Sequence, residues 1–257
     1  MTEQWITSRK NPLLQQTRRI LTSRREREET GLFAGEGTKL LAEAVRYAPE
    51  WLHTVFLAEG VEQETPEHVR RVRLPRELLD SLSTMDAPQG AIFLCRMPEE
   101  PEFVPKPGTL LLDGLQDPGN LGTILRTADA LFCDGLLLVG GCADPWQPKA
   151  VRASMGAVLR CPVWSCTAEE AKGLLSRSGI PLYGAALRQD TLDARDIPEG
   201  KAAIAIGSEG RGLSEEMLAL CDATVRIPMA EHCESLNAAA AAAVLLWELA
   251  RRDAPGK

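Results

Sequence analysis

An asparagine and an arginine six residues apart mark the stretch Asn120-Leu121-Gly122-Thr123-Ile124-Leu125-Arg126-Thr127-Ala128-Asp129. An amide offers both a donor and an acceptor. A guanidinium can meet a phosphate or a developing oxyanion. The stretch follows an apolar run, Thr109 to Asp113, and a turn, Gln116-Asp117-Pro118-Gly119. Leu121, Ile124, Leu125, Ala128 and Leu131 then recur at helical spacing. A strand ends, a polar loop follows and a helix begins. In open α/β sheets that end of the strands is where ligands bind. The same residues also read as an ordinary capped helix with Arg126 paired to Asp129 or Asp117.

Two further junctions share this layout. Lys201 to Ile206 is an apolar strand pattern that runs into Gly207-Ser208-Glu209-Gly210-Arg211-Gly212-Leu213. Thr224 to Ile227 leads to Pro228-Met229-Ala230-Glu231, then Ser235-Leu236-Asn237 and an alanine-rich helix to about Arg251. Glycines after a strand let the backbone approach a ligand closely. Ser235 also reads as a helix N-cap, whereas Asn237 is a mediocre helix former for a first turn. No Gly-x-Gly-x-x-Gly follows the strand at Thr109 to Asp113, which argues against a nicotinamide site.

Composition bounds the function classes. The chain has 257 residues, 44% hydrophobic and 25% charged, as ordinary globular proteins have. The longest apolar run, Ala238 to Trp247, is too short to span a bilayer. Met1 to Leu21 has no continuous apolar core, so no signal peptide is expected and a cytoplasmic protein is. Seven cysteines with no Cys-x-x-Cys pair, and three histidines without ligand spacing, lead to an expectation of free thiols and no metal.

The net charge is −7, but it is unevenly spread. Residues 9–27 hold Arg9, Lys10, Arg18, Arg19, Arg24, Arg25 and Arg27 against Glu26, a net +6 that leaves −13 for the rest. Arg70, Arg71, Arg73 and Arg76 form a second cluster. This asymmetry suits a phosphate-reading face, although charge runs are commonly just solvated helix faces.

Four prolines in residues 97–108 exclude helix or central strand there and predict a linker between two domains. Before it, Asn11 to Arg27 and Gly37 to Tyr47 read as helices. Trp51 to Ala58, Val69 to Leu74 and Ala91 to Cys95 read as short strands. After it, strands are predicted at Thr109–Asp113, Gly135–Val139, Pro162–Trp164, Leu182–Ala186, Ala202–Ile206 and Thr224–Ile227. Continuous apolar strands alternating with helices predict a parallel sheet covered on both faces. The expected fold class is α/β, with residues 1–96 a small α/β domain, 97–108 the linker and 109–257 the parallel-sheet domain.

The three junctions together resemble the signature motifs of the SpoU (TrmH-type) RNA 2′-O-ribose methyltransferases of the SPOUT superfamily. The stretch from Ala143-Asp144-Pro145-Trp146-Gln147-Pro148 through Arg152-Ala153-Ser154 to Ala157 resembles that family too. So does the start, from Asn11-Pro12-Leu13 to Leu32-Phe33. The resemblance covers nearly the whole chain, with its motifs in the family's order. It implies a C-terminal SPOUT domain with a deep trefoil knot, which connectivity rules alone would not suggest, a homodimer paired near that knot, and an RNA-binding role for residues 1–96. It implies S-adenosyl-L-methionine as cofactor, held by the backbone at Gly207, Ile227 and Leu236. It implies Arg126 as the catalytic arginine, with Asn120, Glu209, Ser235 and Asn237 as the polar wall. A guanidinium is a poor proton acceptor, so Arg126 would stabilise the developing alkoxide while water takes the proton. Arg152 and Ser154 would support the cofactor loop or the dimer.

The expected activity is therefore methylation of a ribose 2′-hydroxyl in structured RNA, with ribosomal RNA favoured over transfer RNA by the two-domain layout. A SPOUT enzyme that methylates a base nitrogen is one alternative, and an RNA-binding module without catalysis is another. Nuclease-resistant dinucleotides in digested product RNA separate ribose from base methylation, and cofactor binding separates an enzyme from a bare binding module.

Overall fold

In a computed structural model of the chain, residues 3–98, 103–131, 133, 135–188, 190–197, 202–233 and 235–253 are described, without the side chains of 251–253. The order of elements is β1 (Gln4–Trp5), α1 (Pro12–Thr22), α2 (Arg24–Thr30), β2 (Leu32–Glu36), α3 (Thr38–Tyr47), β3 (Leu52–Ala58), β4 (Arg70–Leu74), α4 (Arg76–Asp80) and β5 (Ala91–Arg96). There follow β6 (Leu110–Asp113), α5 (Pro118–Ala130), β7 (Leu136–Val139), α6 (Pro148–Ala153), β8 (Val163–Ser165), α7 (Ala168–Arg177), β9 (Leu182–Ala185) and β10 (Leu192–Asp193). The chain closes with β11 (Ala203–Gly207), α8 (Glu215–Leu220), β12 (Ala223–Arg226) and α9 (Ala238–Asp253). Two compact units result: Met1–Glu99 with Asp144–Arg160, and Glu100–Ala143 with Cys161–Lys257.

The first unit is built on a mixed sheet in the order β1-β4-β3-β5-β2. Strand β5 runs antiparallel to both β2 and β3, and the other pairs are parallel. The predicted helix over Asn11 to Arg27 is two helices. Ser23 adopts an extended backbone between them and its hydroxyl accepts from the Glu26 N–H, the capping habit that makes serine poor in helix interiors. Strand β2 is absent from the sequence expectations although all five of its residues are buried. It lies at the sheet edge, and helices pack against it, α6 among them. Burial of both its faces removes the polar alternation that marks a strand in sequence.

The segment Asp144–Arg160 interrupts the second unit in sequence yet folds on the first. Arg27 donates from Nε and Nη2 to one oxygen of Asp144, at 2.9 and 2.7 Å, and from Nη1 to the Ile20 carbonyl at 2.7 Å. Phe33 and Trp146 rings lie 4.7 Å apart. Arg152 donates to Glu36 and to the Thr84 hydroxyl, each at 2.9 Å. Glu36 is buried and also accepts from the Ser83 and Thr84 hydroxyls and from the Thr84 N–H. The Ser154 hydroxyl is buried against the Val151 carbonyl.

These pairings correct the charge reading. Arg19 pairs with Glu26, Arg24 with Glu28 and Arg25 with Glu29. Arg27 is buried against Asp144. In the second cluster, Arg71 and Arg73 pair with Glu3, Arg73 also with Glu62, and Arg76 with Asp80. The +6 window stops just before Glu28 and Glu29, which neutralise its last turn. Helical i,i+4 spacing brings such pairs together.

The second unit is an all-parallel seven-stranded sheet in the order β10-β12-β9-β11-β6-β7-β8. The six predicted strands are present with ends shifted by one residue or so, and β10 is an added edge strand. From β6 the chain builds outward through β7 and β8, then crosses to β9. Strand β11 inserts between β9 and β6, so the winding reverses beside β6. Residues 99–102 of the predicted linker lie outside the described residues. Its remaining residues have no helix or strand, and Phe103 packs on Trp164 at 5.1 Å.

None of the seven cysteines is joined in a disulfide. Burial raises the Cys95 thiol well above its ordinary range and brings Cys221 up to about 11. Among the described residues no group of His, Cys, Asp and Glu is arranged to hold a metal ion, and no helix is long and apolar enough to cross a membrane.

Removing one partner of a buried ion pair leaves the other charge uncompensated, at a cost of about 3–5 kcal/mol. Arg27→Ala should therefore lower the first unit's unfolding free energy by that order, read from the midpoint and slope of urea unfolding followed by tryptophan fluorescence. A midpoint shift equal to that of the exposed-pair variant Arg25→Ala would contradict the assignment.

Candidate active site

The site grows from the carboxyl ends of β6, β9, β11 and β12. At the end of β6, Asp113 is 5% exposed and its Oδ2 accepts from the Ser214 N–H at 2.7 Å. Ser214 in turn caps α8 through Met217 N–H. Asp117 caps α5 by accepting from the Asn120 N–H at 2.8 Å, with Pro118 at the first helical position, where its missing N–H costs nothing.

Asn120 is the meeting point of the three junctions. Its Nδ2 donates to Glu209 Oε1 at 2.7 Å. Its Oδ1 accepts from Asn237 Nδ2 at 3.1 Å. Asn237 Oδ1 accepts from the Ala239 and Ala240 N–H groups at 2.9 and 3.3 Å. Both amides use both ends, so flipping either sets donor against donor. The chain of bonds thus fixes the orientation of every group in it.

The loop between β11 and α8 is equally constrained. Ser208 and Gly212 exchange both backbone hydrogen bonds, at 3.0 and 2.9 Å. Gly212 sits at φ +69°, a conformation glycine adopts freely. A Cβ placed on Gly207 would lie 2.0 Å from the Gly212 carbonyl carbon. Glycine at 207 is what lets the loop fold back on the strand end.

A pocket of about 400 Å³ opens beside this loop. Ala185, Gly207, Val225 and Ile227 line it from the strand ends, Ser235 and Leu236 from the loop before α9, and Ala238, Ala241 and Leu245 from α9. Glu209 lines it as well and also lines a wider, more polar cavity on the other side of the loop, where Asp113, Gln116 and Arg211 stand.

The sequence-predicted residues divide accordingly. Asn120, Glu209 and Asn237 are joined by direct hydrogen bonds. Gly207, Ile227, Ser235 and Leu236 share the pocket with Glu209. Arg126 stands apart, exposed on α5 about 9 Å along the axis from Asn120 at helical rise. It forms no hydrogen bond or ion pair among the described residues, so the pairing with Asp117 or Asp129 is not made. The capping roles are exchanged: Asn237 caps α9, whose first residue is Ala238, and Ser235 is left to the pocket wall. Arg152 and Ser154, expected near the cofactor loop or dimer, spend their polar atoms inside the first unit. Missed by sequence reasoning were Ala185, Ala238, Ala241 and Leu245. The last three recur at i, i+3 and i+7 on one helix face, a signal hidden by the uniform alanine run.

The profile of the SpoU rRNA Methylase family matches residues 107–247, and that of the MRM3-like substrate binding domain matches residues 11–92. The chain is 31% identical to the 23S rRNA (guanosine(2553)-2′-O)-methyltransferase RlmP of Bacillus subtilis (strain 168), over 95% of this chain and 98% of that protein. It is 32% identical to a 23S rRNA (uridine(2479)-2′-O)-methyltransferase of Streptomyces viridochromogenes, over 98% and 93%. The AdoMet-bound crystal structure of an rRNA methyltransferase from Sinorhizobium meliloti superposes with a TM-score of 0.86 at 29% identity, covering 98% of this chain and 99% of that one.

Gly207→Ala should destabilise the second unit by about 1–3 kcal/mol, the cost of forcing a methyl group into packed backbone. Differential scanning calorimetry measures it. Ala at the neighbouring Gly210, where a Cβ meets nothing within 4 Å, should be tolerated much better. Equal losses for the two variants would contradict the collision.

Proposed function

The chain belongs to the SpoU rRNA methylase family, and we propose that it transfers a methyl group from S-adenosyl-L-methionine to a ribose 2′-hydroxyl of ribosomal RNA. The observation that carries this reading is the Glu209–Asn120–Asn237 chain, whose Glu209 end lines a small-residue pocket. The pocket falls within the ~300–1,000 Å³ of small-molecule sites. Its cradle is bare backbone at Gly207, where a Cβ cannot be placed. These residues fit the cofactor. The backbone at Gly207, Ile227 and Leu236 would hold it, with Ala185, Ala241 and Leu245 closing over its flat part.

The bound cofactor supplies an electrophilic methyl group whose leaving group is already a sulfonium. What remains for the protein is to align the ribose oxygen with that methyl and handle one proton. Asn120 and Asn237 are held in one orientation and present fixed polar groups to the ribose. Glu209 anchors Asn120. Ser235 adds a hydroxyl at the pocket rim. Arg126, unengaged among the described residues, is assigned the charge that builds on the 2′-oxygen as its proton passes to water. A free guanidinium suits that task, and no carboxylate among the described residues competes for it.

Residues 1–96 are assigned the reading of RNA, residues 97–108 the linker and 109–257 the chemistry. Support for an RNA role of the first part comes from its match to a substrate binding domain. The C-terminal domain is proposed to be knotted and to pair as a homodimer. The return of β11 between β9 and β6 and the packing of α9 on α5 support the first. Val244 and Trp247, 43% and 59% exposed one turn apart on α9, support the second. Cysteines not joined in disulfides suit the reducing cytoplasm.

Replacing the 2′-hydroxyl of the target nucleotide by hydrogen tests the acceptor. RNA binding should persist, because phosphate contacts dominate affinity, and methyl transfer should vanish. Transfer at a normal rate would make the acceptor a base atom. Separately, Arg126→Ala should lower turnover by about 10²–10³, the effect of removing an oxyanion-stabilising donor, with cofactor affinity unchanged by calorimetry. Turnover within threefold of the parent would remove Arg126 from the mechanism.

A further inference from the structure

Pairing off the cations of the two basic clusters leaves a small remainder. Arg19, Arg24, Arg25, Arg27, Arg71, Arg73 and Arg76 each face a carboxylate. Arg70 bonds Gln4. Of the two basic clusters, Arg9, Lys10 and Arg18 remain with no carboxylate partner among the described residues, and all three are exposed. Arg18 is steered by one hydrogen bond, Nη2 to the Ser81 carbonyl at 2.8 Å.

Arg9 and Arg18 are also the two cations of one groove. It lies between α1 and the end of α4, with a volume of about 120 Å³. Leu14, Leu78 and Leu82 line it, all buried members of the unit's apolar core. Gln15 stands at its rim, exposed and with no side-chain hydrogen bond among the described residues. The space is well below the ~300 Å³ at which sites for drug-sized ligands begin, so it suits one flat ring. An apolar surface with guanidinium groups and an unspent amide at its rim is what an unstacked base and its phosphate require. Sequence-reading RNA contacts target such splayed bases by stacking and by hydrogen bonds to their edges.

We propose that this groove is a subsite for one unpaired nucleotide of the ribosomal RNA substrate. Arg9 and Arg18 take its phosphate, and Gln15 meets the base edge above the leucines. Lys10 adds positive charge nearby without lining the groove. The carboxylates that cancel the other arginines confine the phosphate-reading surface of α1 and α2 to this end. The subsite rests on the reading of the chain as an rRNA methyltransferase.

The test uses the full chain and an in vitro transcript of bacterial 23S rRNA in filter binding between 50 and 200 mM salt. Arg9→Ala with Arg18→Ala should weaken binding about tenfold and flatten the log–log salt slope by about 0.7, the contribution of one phosphate contact on a single strand. Arg24→Ala with Arg25→Ala removes the same charge from the neighbouring helix and should change affinity less than twofold. Gln15→Ala, with both cations kept, should weaken binding about threefold at an unchanged slope, the size of a single lost hydrogen bond. Calorimetric affinity for S-adenosyl-L-methionine should be the same in all variants. Parental affinity and slope in the Arg9, Arg18 variant would overturn the subsite, as would an equal loss in the Arg24, Arg25 variant. A parent chain that neither binds the transcript nor forms 2′-O-methyl nucleotides on it would instead overturn the functional reading beneath it.

Discussion

The side-chain amide of Asn120 is the constraint on which the second unit's site depends. It accepts from Asn237 and donates to Glu209, residues 117 and 89 positions away. Each contributes from a different strand-to-helix junction, and each junction is separately stiffened. Asp117 and Pro118 start α5, Asp113 ties the start of α8 to β6, and Asn237 caps α9. A polar chain with both ends of every amide used has one geometry. Short, fully bonded contacts of this kind hold groups ready for a charge that forms only in the transition state.

The pocket beside that chain is defined by what is missing from its walls. Gly207, Gly212, Ala185, Ala238 and Ala241 carry little or no side chain, so a ligand there would meet backbone. The close approach of Gly207 to the Gly212 carbonyl makes a side chain at 207 incompatible with the loop. Bare backbone supplies N–H and C=O groups at fixed positions and needs no rotamer ordering on binding. The same economy explains why the region reads in sequence as glycine turns and an alanine helix.

The first unit is organised by buried charge. Arg27 and Asp144 are buried, as is Glu36 with its hydroxyl, N–H and guanidinium donors. These contacts bind a segment that leaves the second unit after Ala143 and returns to it at Cys161. A buried carboxylate tolerates only fully matched surroundings, so the segment has one place to dock. Most remaining arginines of the unit are cancelled by nearby acids. Its exposed positive field is therefore narrower than residue counting suggests.

Local patterns determined much of this protein. Period and punctuation located the six long strands of the parallel sheet, since apolar runs of four or five residues bounded by turns have few other uses. The resemblance of three strand-to-helix junctions to a family's motifs marked Asn120, Arg126, Glu209, Ser235 and Asn237 as the candidate site. Tertiary structure decided the rest. Strand β2 escaped because a strand buried on both faces loses alternation. The break at Ser23 was a choice between helix continuation and capping. Which of Ser235 and Asn237 caps α9 depended on where the helix begins. The charge map changed because Asp144, Glu3 and Glu62 reach their arginines only through folding, and Glu28 and Glu29 only through the helix turn. A sequence shows which residues are charged or small; which ones remain unspent is decided by distances between residues a hundred positions apart.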